Sequence, residues 1–203
     1  SEGAHIVAAG VTVAGVDLTA LNAREAEAVL AEGFDRPLVV RHGTRTWEFF
    51  PQTFGARAHV RSAVRRALSA PEGANVRLPL SLDGRRLRAW ARGFGRDFGQ
   101  PAKNARVVLR GLRPRATREH VGRRLDLLAT QMRVAAALRA GSRDAVPLAV
   151  RRVRPRVTRA KLGTAIVIRR GSNRLYLYKA TSHRGMRRVR MLGVATGQAA
   201  YPT

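Results

Sequence analysis

The last forty or so residues restrict the fold most, because short apolar stretches alternate there with turn-forming residues. The apolar stretches are residues 165–168, 175–178 and 188–194, and residues 171–173 (Gly-Ser-Asn) separate the first two. Glycine and asparagine adopt positive φ at low cost, and aromatic and branched residues suit a pleated surface. The pattern predicts three short β-strands joined by turns, with residues 201–203 in a loop.

The N-terminal part of the chain predicts a strand followed by a helix. Residues 11–18 alternate as a strand does. Asn22 and Glu25 have the spacing of a capping box, which marks a helix start, and Gly33 predicts its end. The apolar residues that share one face of this helix are Ala26, Val29 and Leu30.

Residues 37–50 predict a β-hairpin with its turn at His42 and Gly43. Trp47 lies in the second arm, where it could stack on a sugar or a base. A tryptophan in such a strand is more often part of a core, so we expect it to be a packing residue.

A comparison of the chain with itself finds a doubled pattern. Gly55 precedes a helical stretch that ends at Leu68, and Gly122 precedes one that ends at Leu138. Each stretch is followed, eight residues on, by alternating apolar positions: Val76, Leu78, Leu80 and Leu82 in the first copy, and Val146, Leu148 and Val150 in the second. Two copies of a turn–helix–strand repeat are the simplest account, and a chance match of Ala-Leu pairs is the alternative.

The second of these helices has two possible starts. Thr117 could cap it, but Gly122 would then be an interior glycine, which costs about 1 kcal/mol. We prefer Asp126 as the N-cap because it fits the repeat. The apolar stripe of a helix capped at Thr117 would be Val121, Leu125, Leu128 and Met132.

Between the two copies, Asp83 and Gly84 predict a turn before another helix, which residues 99–101 end. Its apolar face, which we expect to be core, consists of Leu87, Trp90, Ala91, Phe94 and Phe98. Residues 107–109 suggest a further strand, and residues 151–159, with Pro155 inside, an edge strand or linker.

Few residues form a chemical site by their spacing. The histidines His5, His42, His59, His120 and His183 are scattered, there is no cysteine, and Gly93-Phe94-Gly95 follows a helix rather than a strand. The aspartates predict turns and caps rather than acid–base pairs: Asp17, Asp83, Asp97, Asp126 and Asp144. We therefore predict no catalytic residue, no metal and no cofactor, and no substrate-binding residue could be assigned. Two arginine pairs, 123–124 and 151–152, could bind carboxylates, although a solvated face is the simpler interpretation.

The formal charge of +26 predicts attraction to polyanions. Only Lys103, Lys161 and Lys179 are lysines, so 36 of the 39 basic residues are arginine. Nucleic acid, anionic lipid, teichoic acid and peptidoglycan carboxylates are candidate partners. A GC-rich coding sequence is an alternative cause, because the arginines extend along the whole chain without a basic tail.

The C-terminal pattern resembles the opening of an L,D-transpeptidase catalytic domain of the YkuD type (ErfK/YbiS/YcfS/YnhG). In that family an Ile-x-Val strand leads to Leu-x-Leu-Tyr, and a later strand ends in Val-Ala-Thr-Gly before a Thr-Pro turn. The matching residues are 166–168, 175–178, 194–197 and 202–203, and Arg169 departs from the pattern. The resemblance implies cysteine acyl-transfer that crosslinks peptidoglycan stem peptides, but the family's Cys/His motif would lie beyond Thr203. We expect this chain to be inactive as it stands.

The earlier part of the chain, residues 11–158, is similar to peptidoglycan-binding modules that precede YkuD domains, although its opening also resembles VanW-type proteins. The resemblance implies an α+β chain: a module of two turn–helix–strand repeats with mixed sheet, then the first strands of a β-rich catalytic domain. The expected division is 1–36 leader, 37–158 module, 159–163 linker and 164–203 truncated catalytic part.

Two functions remain open from these observations. The first is the peptidoglycan-binding and positioning region of a cell-wall L,D-transpeptidase. The alternative is a non-catalytic basic module that binds an anionic wall polymer, with nucleic-acid binding as a third candidate that depends on charge alone. We expect the bacterial cell envelope as location, with any export signal or membrane anchor upstream. We also expect residues 164–203, as strands cut from their sheet, to self-associate or to be poorly ordered.

Overall fold

The computed structural model describes residues 5–181, 185–195 and 197 of the chain. It is a mixed α+β structure, with four α-helices and several small sheets among the described residues, as the predicted class requires. The chain divides into two compact units. The first unit is Ser1–Phe98 with Leu125–Val150, and the second unit is Gly99–Arg124 with Arg151–Thr203.

The helices all belong to the first unit: α1 (Ala23–Asp35), α2 (Val60–Leu68), α3 (Gly84–Phe98) and α4 (Leu127–Ala140). None of the described helices is both long and apolar enough to cross a membrane.

The strands in the first 98 residues are short: β1 (Thr12–Val13), β2 (Val16–Asp17), β3 (Leu38–His42), β4 (Arg45–Phe49), β5 (Ala56–Ala58), β6 (Asn75–Val76) and β7 (Leu80–Leu82). The later strands lengthen toward the C-terminus: β8 (Val107–Arg110), β9 (Arg113–Ala116), β10 (Gly122–Leu125), β11 (Val146–Pro147), β12 (Val150–Val153), β13 (Thr164–Arg169), β14 (Arg174–Thr181) and β15 (Gly185–Gly193).

The single strand predicted at residues 11–18 is wrong. Ala14 and Gly15 both have positive φ, 50° and 80°, and fold the segment into a tight hairpin in which Val13 pairs with Val16. Two consecutive positive-φ residues make the turn that best matches the twist of a hairpin. The single strand predicted at residues 76–82 is also wrong, because these residues contribute to β6 and β7, which belong to different sheets.

Helix α1 begins as predicted and ends later than predicted. The Asn22 Oδ1 atom accepts from the Glu25 backbone N–H, and the Glu25 carboxylate accepts from the Asn22 N–H, which completes the capping box. Gly33 lies inside the helix, which continues to Asp35. The helix stops there because Arg36 precedes proline and adopts an extended conformation. On the predicted apolar face, Ala26 and Leu30 are buried and Val29 is exposed.

The hairpin of β3 and β4 is confirmed with its turn one residue later than predicted. His42 pairs with Arg45, so Gly43 and Thr44 form the loop, and Gly43 takes φ of +59°. Trp47 is half-buried and packs edge-on against Phe94 and Phe98, as the core interpretation expects.

Helices α3 and α4 also follow the sequence patterns closely. Leu87, Ala91 and Phe98 are buried on α3, and the helix passes through Gly93 and Gly95 without a break. Asp126 caps α4 by accepting from the Ala129 N–H, which confirms the preferred start. Leu128 and Met132, from the alternative stripe, are mostly exposed.

The first unit contains two apolar clusters. One gathers around α3, α4 and the β3–β4 hairpin, with Phe54 and Val134 fully buried, and the other around α1, α2 and β1. Two parallel strand pairs, β1 with β6 and β3 with β11, accompany these clusters. Leu78 packs against both, so the clusters meet at that residue.

The second unit is built mainly of β-structure. The strands β13, β14 and β15 form an antiparallel sheet with β14 at its centre, so the three predicted C-terminal strands are confirmed. Asn173, in the predicted turn between the first two, has φ of +49°. A separate hairpin joins β8 and β9, and β10 pairs with β12. The residues matched to the Thr-Pro turn, Pro202 and Thr203, lie outside the described residues.

Candidate anion-binding pocket

A cavity of about 680 Å³ lies within the second unit, and arginine dominates its wall. It is lined by residues of β9, of the 3-10 turn Arg159–Lys161, and of all three strands of the C-terminal sheet. The lining residues are Arg113, Pro114, Arg115, Ala116, Arg159, Arg169, Tyr176, Tyr178, Gly185, Met186 and Arg188.

Strand register explains why the sheet contributes these side chains. Tyr176 lies opposite Val167 on β13, and Arg169 follows Val167 by two residues, so all three share a face. Tyr178 lies opposite Arg188 on β15 and is two residues from Tyr176. Alternation along β13 and β14, together with the register shift of β15 between Leu177 and Tyr178, therefore gathers two tyrosines and two arginines on one side of the sheet.

Tyr176 organises the arginines at the floor of the pocket. Its ring is buried, with 7% of the residue exposed. The Arg169 guanidinium carbon lies 4.9 Å from the ring centroid and that of Arg188 lies 5.8 Å away. Both distances are within the range of cation–π attraction, which holds guanidinium groups over an aromatic face.

Arg169 retains unused hydrogen-bonding capacity. Its Nε atom is buried and has no hydrogen-bond partner among the described residues. A buried unsatisfied donor is costly, typically about 1–3 kcal/mol, so an acceptor supplied by a ligand would be favoured there.

The side chains that line the pocket give its wall a positive charge. None of the lining residues is acidic, and none of the five arginines takes part in an ion pair within the described part of the chain. The nearby acid is Glu119, whose Oε2 atom accepts from the Arg159 backbone N–H at 3.3 Å. Guanidinium groups bind carboxylate and phosphate oxygens through paired N–H donors, so the pocket is suited to an anion.

The sequence missed these residues. The arginine pairs at 123–124 and 151–152 do not line the cavity, whereas Arg113, Arg159 and Arg188 do. Alternation along 165–169 and 174–178 would have placed Arg169 beside Tyr176. No local signal links these strands to β9.

Three of the five aspartates occupy turns or caps as predicted, whereas Asp97 lies within α3, so the prediction for that residue is wrong. Asp17 accepts from the N–H and the hydroxyl of Thr19, and these hydrogen bonds lower the pKa of its carboxyl. Asp83 accepts from the N–H groups of Arg86 and Arg85, which lower its pKa likewise. Asp126 caps α4. Within the described residues, no cluster of three or more His, Cys, Asp or Glu could hold a metal ion.

Comparisons with known proteins give a distant likeness. No protein-family model matches the chain, and no curated protein matches it. A crystal structure of an Enterococcus faecium L,D-transpeptidase mutant is similar at a TM-score of 0.34 and 12% identity. The match covers 87% of this chain and 63% of that chain, so this chain spans less than two thirds of the other's length.

Proposed function

We propose that this chain is the region of a cell-wall L,D-transpeptidase that binds and positions peptidoglycan, and that the arginine pocket holds an anionic group of the wall polymer. The observation that carries the binding role is the pocket itself: five arginines, two tyrosines and no acid around one cavity. The transpeptidase context comes from the strand motifs at residues 166–168, 175–178 and 194–197. The envelope location, with an upstream anchor, belongs to the same proposal.

Charge supports a polymeric rather than a small neutral ligand. The second unit holds 22 of the 39 basic residues but only one of the 13 acidic residues, Glu119. A concentration of one sign of charge raises the local concentration of polyanions and speeds their association. A stem-peptide carboxylate or a wall-polymer phosphate would then be placed in the pocket, where guanidinium groups converge.

In the intact enzyme this placement would serve acyl transfer. A cysteine thiolate elsewhere would attack a stem-peptide carbonyl, release the terminal residue, and pass the acyl group to an amine of a neighbouring stem. The 203 residues of this chain include no cysteine, so its own contribution would be to hold the polymer.

A second candidate, a stand-alone module that binds anionic wall polymer, is favoured by the same concentration of charge. The two candidates make the same prediction for binding and different predictions for crosslinking. A protein extended by the family's Cys/His motif should form crosslinks in purified wall, and the loss of the pocket arginines should reduce that rate. Crosslinking that is unaffected by those changes would separate the pocket from the transpeptidase role.

The direct test is binding to purified, protein-free cell wall. Replacing Arg169 and Arg188 together by alanine should weaken binding at about 150 mM salt at least tenfold, because both guanidinium groups lie over the Tyr176 ring and converge on one anion. Isolated surface charges contribute little at that ionic strength because they are screened. The matched control is Arg118→Ala with Arg154→Ala, which removes the same charge from exposed positions of the second unit outside the cavity. We expect less than a threefold change in the control.

Equal losses in both variants would show that diffuse charge and not the pocket does the binding. Walls stripped of teichoic acid distinguish peptidoglycan carboxylates from phosphodiesters as the bound group. Duplex DNA of random sequence provides a third arm. Tighter binding to DNA than to wall, with a steep salt slope, would overturn the proposal in favour of nucleic acid.

A further inference from the structure

The first unit has a second cavity, of about 440 Å³, whose wall is apolar on one side and cationic on the other. It is lined by the turn of the β1–β2 hairpin, the C-terminal half of α1, residues of or next to β7, and the C-terminal end of α4. Its volume is within the range of small-molecule sites in proteins.

The apolar side lies where the two clusters of the first unit meet. Leu30 and Leu138 are buried, and Leu78 and Leu80 are partly buried and complete the wall. Val29, which is 37% exposed, also lines this cavity, so part of its exposed surface faces the cavity.

Close backbone packing closes one end of the cavity. Gly141 ends α4 with φ of +66°, and a Cβ atom there would lie 2.8 Å from the Ala14 Cβ. Only glycine allows the end of α4 to approach the β1–β2 turn this closely. The end wall is therefore built by the fold and does not depend on flexible side chains.

The cationic side consists of Arg36, Arg139 and Arg143. The Arg143 Nη2 atom donates to the carbonyl oxygens of Gly33 and Phe34, both at 3.0 Å. These carbonyls are at the C-terminal end of α1, where cations are favoured, so Arg143 is held in a defined place.

The three arginines place like charges close together. Burial, and to a smaller extent the charge of Arg36, lower the pKa of Arg143. None of Arg36, Arg139 and Arg143 takes part in an ion pair within the residues that the structure describes. One carboxylate, that of the exposed Glu32, also lines the cavity, which leaves an excess of two positive charges.

We propose that this cavity binds a small amphiphilic carboxylate, with its charged group between Arg36, Arg139 and Arg143 and its apolar chain against Leu30, Leu78 and Leu138. A guanidinium group pairs well with a carboxylate, and the apolar wall gains from every methylene removed from water. A free fatty acid and the C-terminal carboxylate of a peptide with an apolar last residue share this chemistry. None of its lining residues also lines the arginine pocket.

Octanoate is the first probe. Titration calorimetry and amide NMR of the whole chain measure its binding. We expect saturable binding that shifts the amide signals of Gly15 and Gly141. Shortening the probe to hexanoate should weaken binding about tenfold, since two buried methylenes are lost. Neutral octanol and octylammonium should bind at least tenfold more weakly than octanoate.

The variant Arg36→Gln with Arg139→Gln should weaken octanoate binding at least tenfold, because both side chains are exposed and their loss should not unfold the unit. The matched control is Arg24→Gln with Arg57→Gln, two exposed arginines of the first unit outside the cavity. Equal binding of octanol and octanoate, signal shifts away from the cavity, or equal loss in the control variant would overturn the proposal.

N-acetyl-alanyl-leucine and its C-terminal amide separate the two sources. Tighter binding of the free acid of this peptide than of octanoate would identify a peptide end as the ligand. Tighter binding of octanoate would identify a fatty acid. If the amide binds as well as the acid, the carboxylate is not recognised and the assignment is wrong.

Discussion

The two units differ in how charge and burial are distributed. The first unit has 17 basic and 12 acidic residues, whereas the second has 22 basic and one acidic. Nearly all of the fully buried apolar side chains belong to the first unit, while Val167 and Tyr176 are among the few buried in the second. The ion pairs Arg61–Glu27 and Arg86–Asp83 also lie in the first unit.

The two units also differ in what surrounds their charged side chains. The first unit uses acids to cap helices and turns, as Glu25, Asp83 and Asp126 show, and buries an aromatic cluster. In the second unit, five arginines line a cavity whose wall includes no acidic residue. The acids are confined almost entirely to the first unit, so the excess of positive charge is concentrated in the second.

The largest expected effect is on the core of the first unit. Phe54 is fully buried, and its ring centroid lies 4.7 Å from that of Trp90. Phe54→Ala should lower the free energy of unfolding by about 3–5 kcal/mol, since it leaves a cavity. The control Ile166→Ala removes a side chain of the second unit that is 60% exposed and should change stability by less than about 0.5 kcal/mol. Urea unfolding followed by amide NMR, which reports on both units, measures both variants; a large loss at Ile166 would show that this face is covered.

A smaller effect tests the packing of the second unit. A Cβ atom on Gly122 would lie 2.4 Å from the Ala102 N and the Gln100 O atoms, which are backbone atoms and cannot turn away. Gly122→Ala should therefore cost about 1–3 kcal/mol. At Gly163 a Cβ atom would meet nothing within 4 Å, and its φ is not in the left-handed region, so Gly163→Ala is the matched control.

Amide hydrogen exchange shows whether the stability lost in Gly122→Ala is confined to the second unit. We expect faster amide exchange at Lys103 and His120, which pair next to the Gln100–Arg123 bridge, and unchanged exchange in α1 and α4. Equal exchange rates in Gly122→Ala and Gly163→Ala would contradict the packing argument.

The smallest expected effect is on how the stability of each unit changes at acidic pH. Hydrogen bonds from Thr19 lower the pKa of Asp17, and those from Arg86 and Arg85 lower that of Asp83. A carboxyl with a lowered folded-state pKa contributes stability above its unfolded pKa, and this contribution is lost as the pH falls through the folded value. The first unit should thus lose stability below about pH 4, whereas the second, with one acid, should lose little.

Asp17→Asn with Asp83→Asn should flatten this pH dependence for the first unit, and thermal melts from about pH 2 to about pH 7 would measure it, since that range spans the titration of carboxyl groups. Asp97→Asn is the control, since Asp97 is an exposed aspartate on α3 for which no such hydrogen bonds are seen. An unchanged slope in the double variant would show that other carboxyls are responsible.

Local patterns predicted helix starts well and strand extents poorly. Asn22 with Glu25 and Asp126 marked helix starts because a cap is completed by residues three positions away. Residues 11–18 and 76–82 both alternate, yet each is broken into two strands. The local turn at Ala14 and Gly15 breaks the first. The second is broken because β6 and β7 pair with partners in different sheets that are distant in sequence. Gly33 failed as a helix end because Pro37 supplied the stronger signal one turn later.

The starts of α1 and α4, the three C-terminal strands, the excess of arginine and the lack of cysteine were predictable from the residues alone, because they depend on composition or on neighbours a few positions away. The convergence of particular arginines was not predictable in this way and is seen only in the folded structure. Arg115 and Arg188 are 73 positions apart, and they line one cavity because β9 and the C-terminal sheet belong to the same unit. Guanidinium groups act on a ligand only over a few ångströms, so their function depends on spatial proximity that spacing along the chain cannot supply.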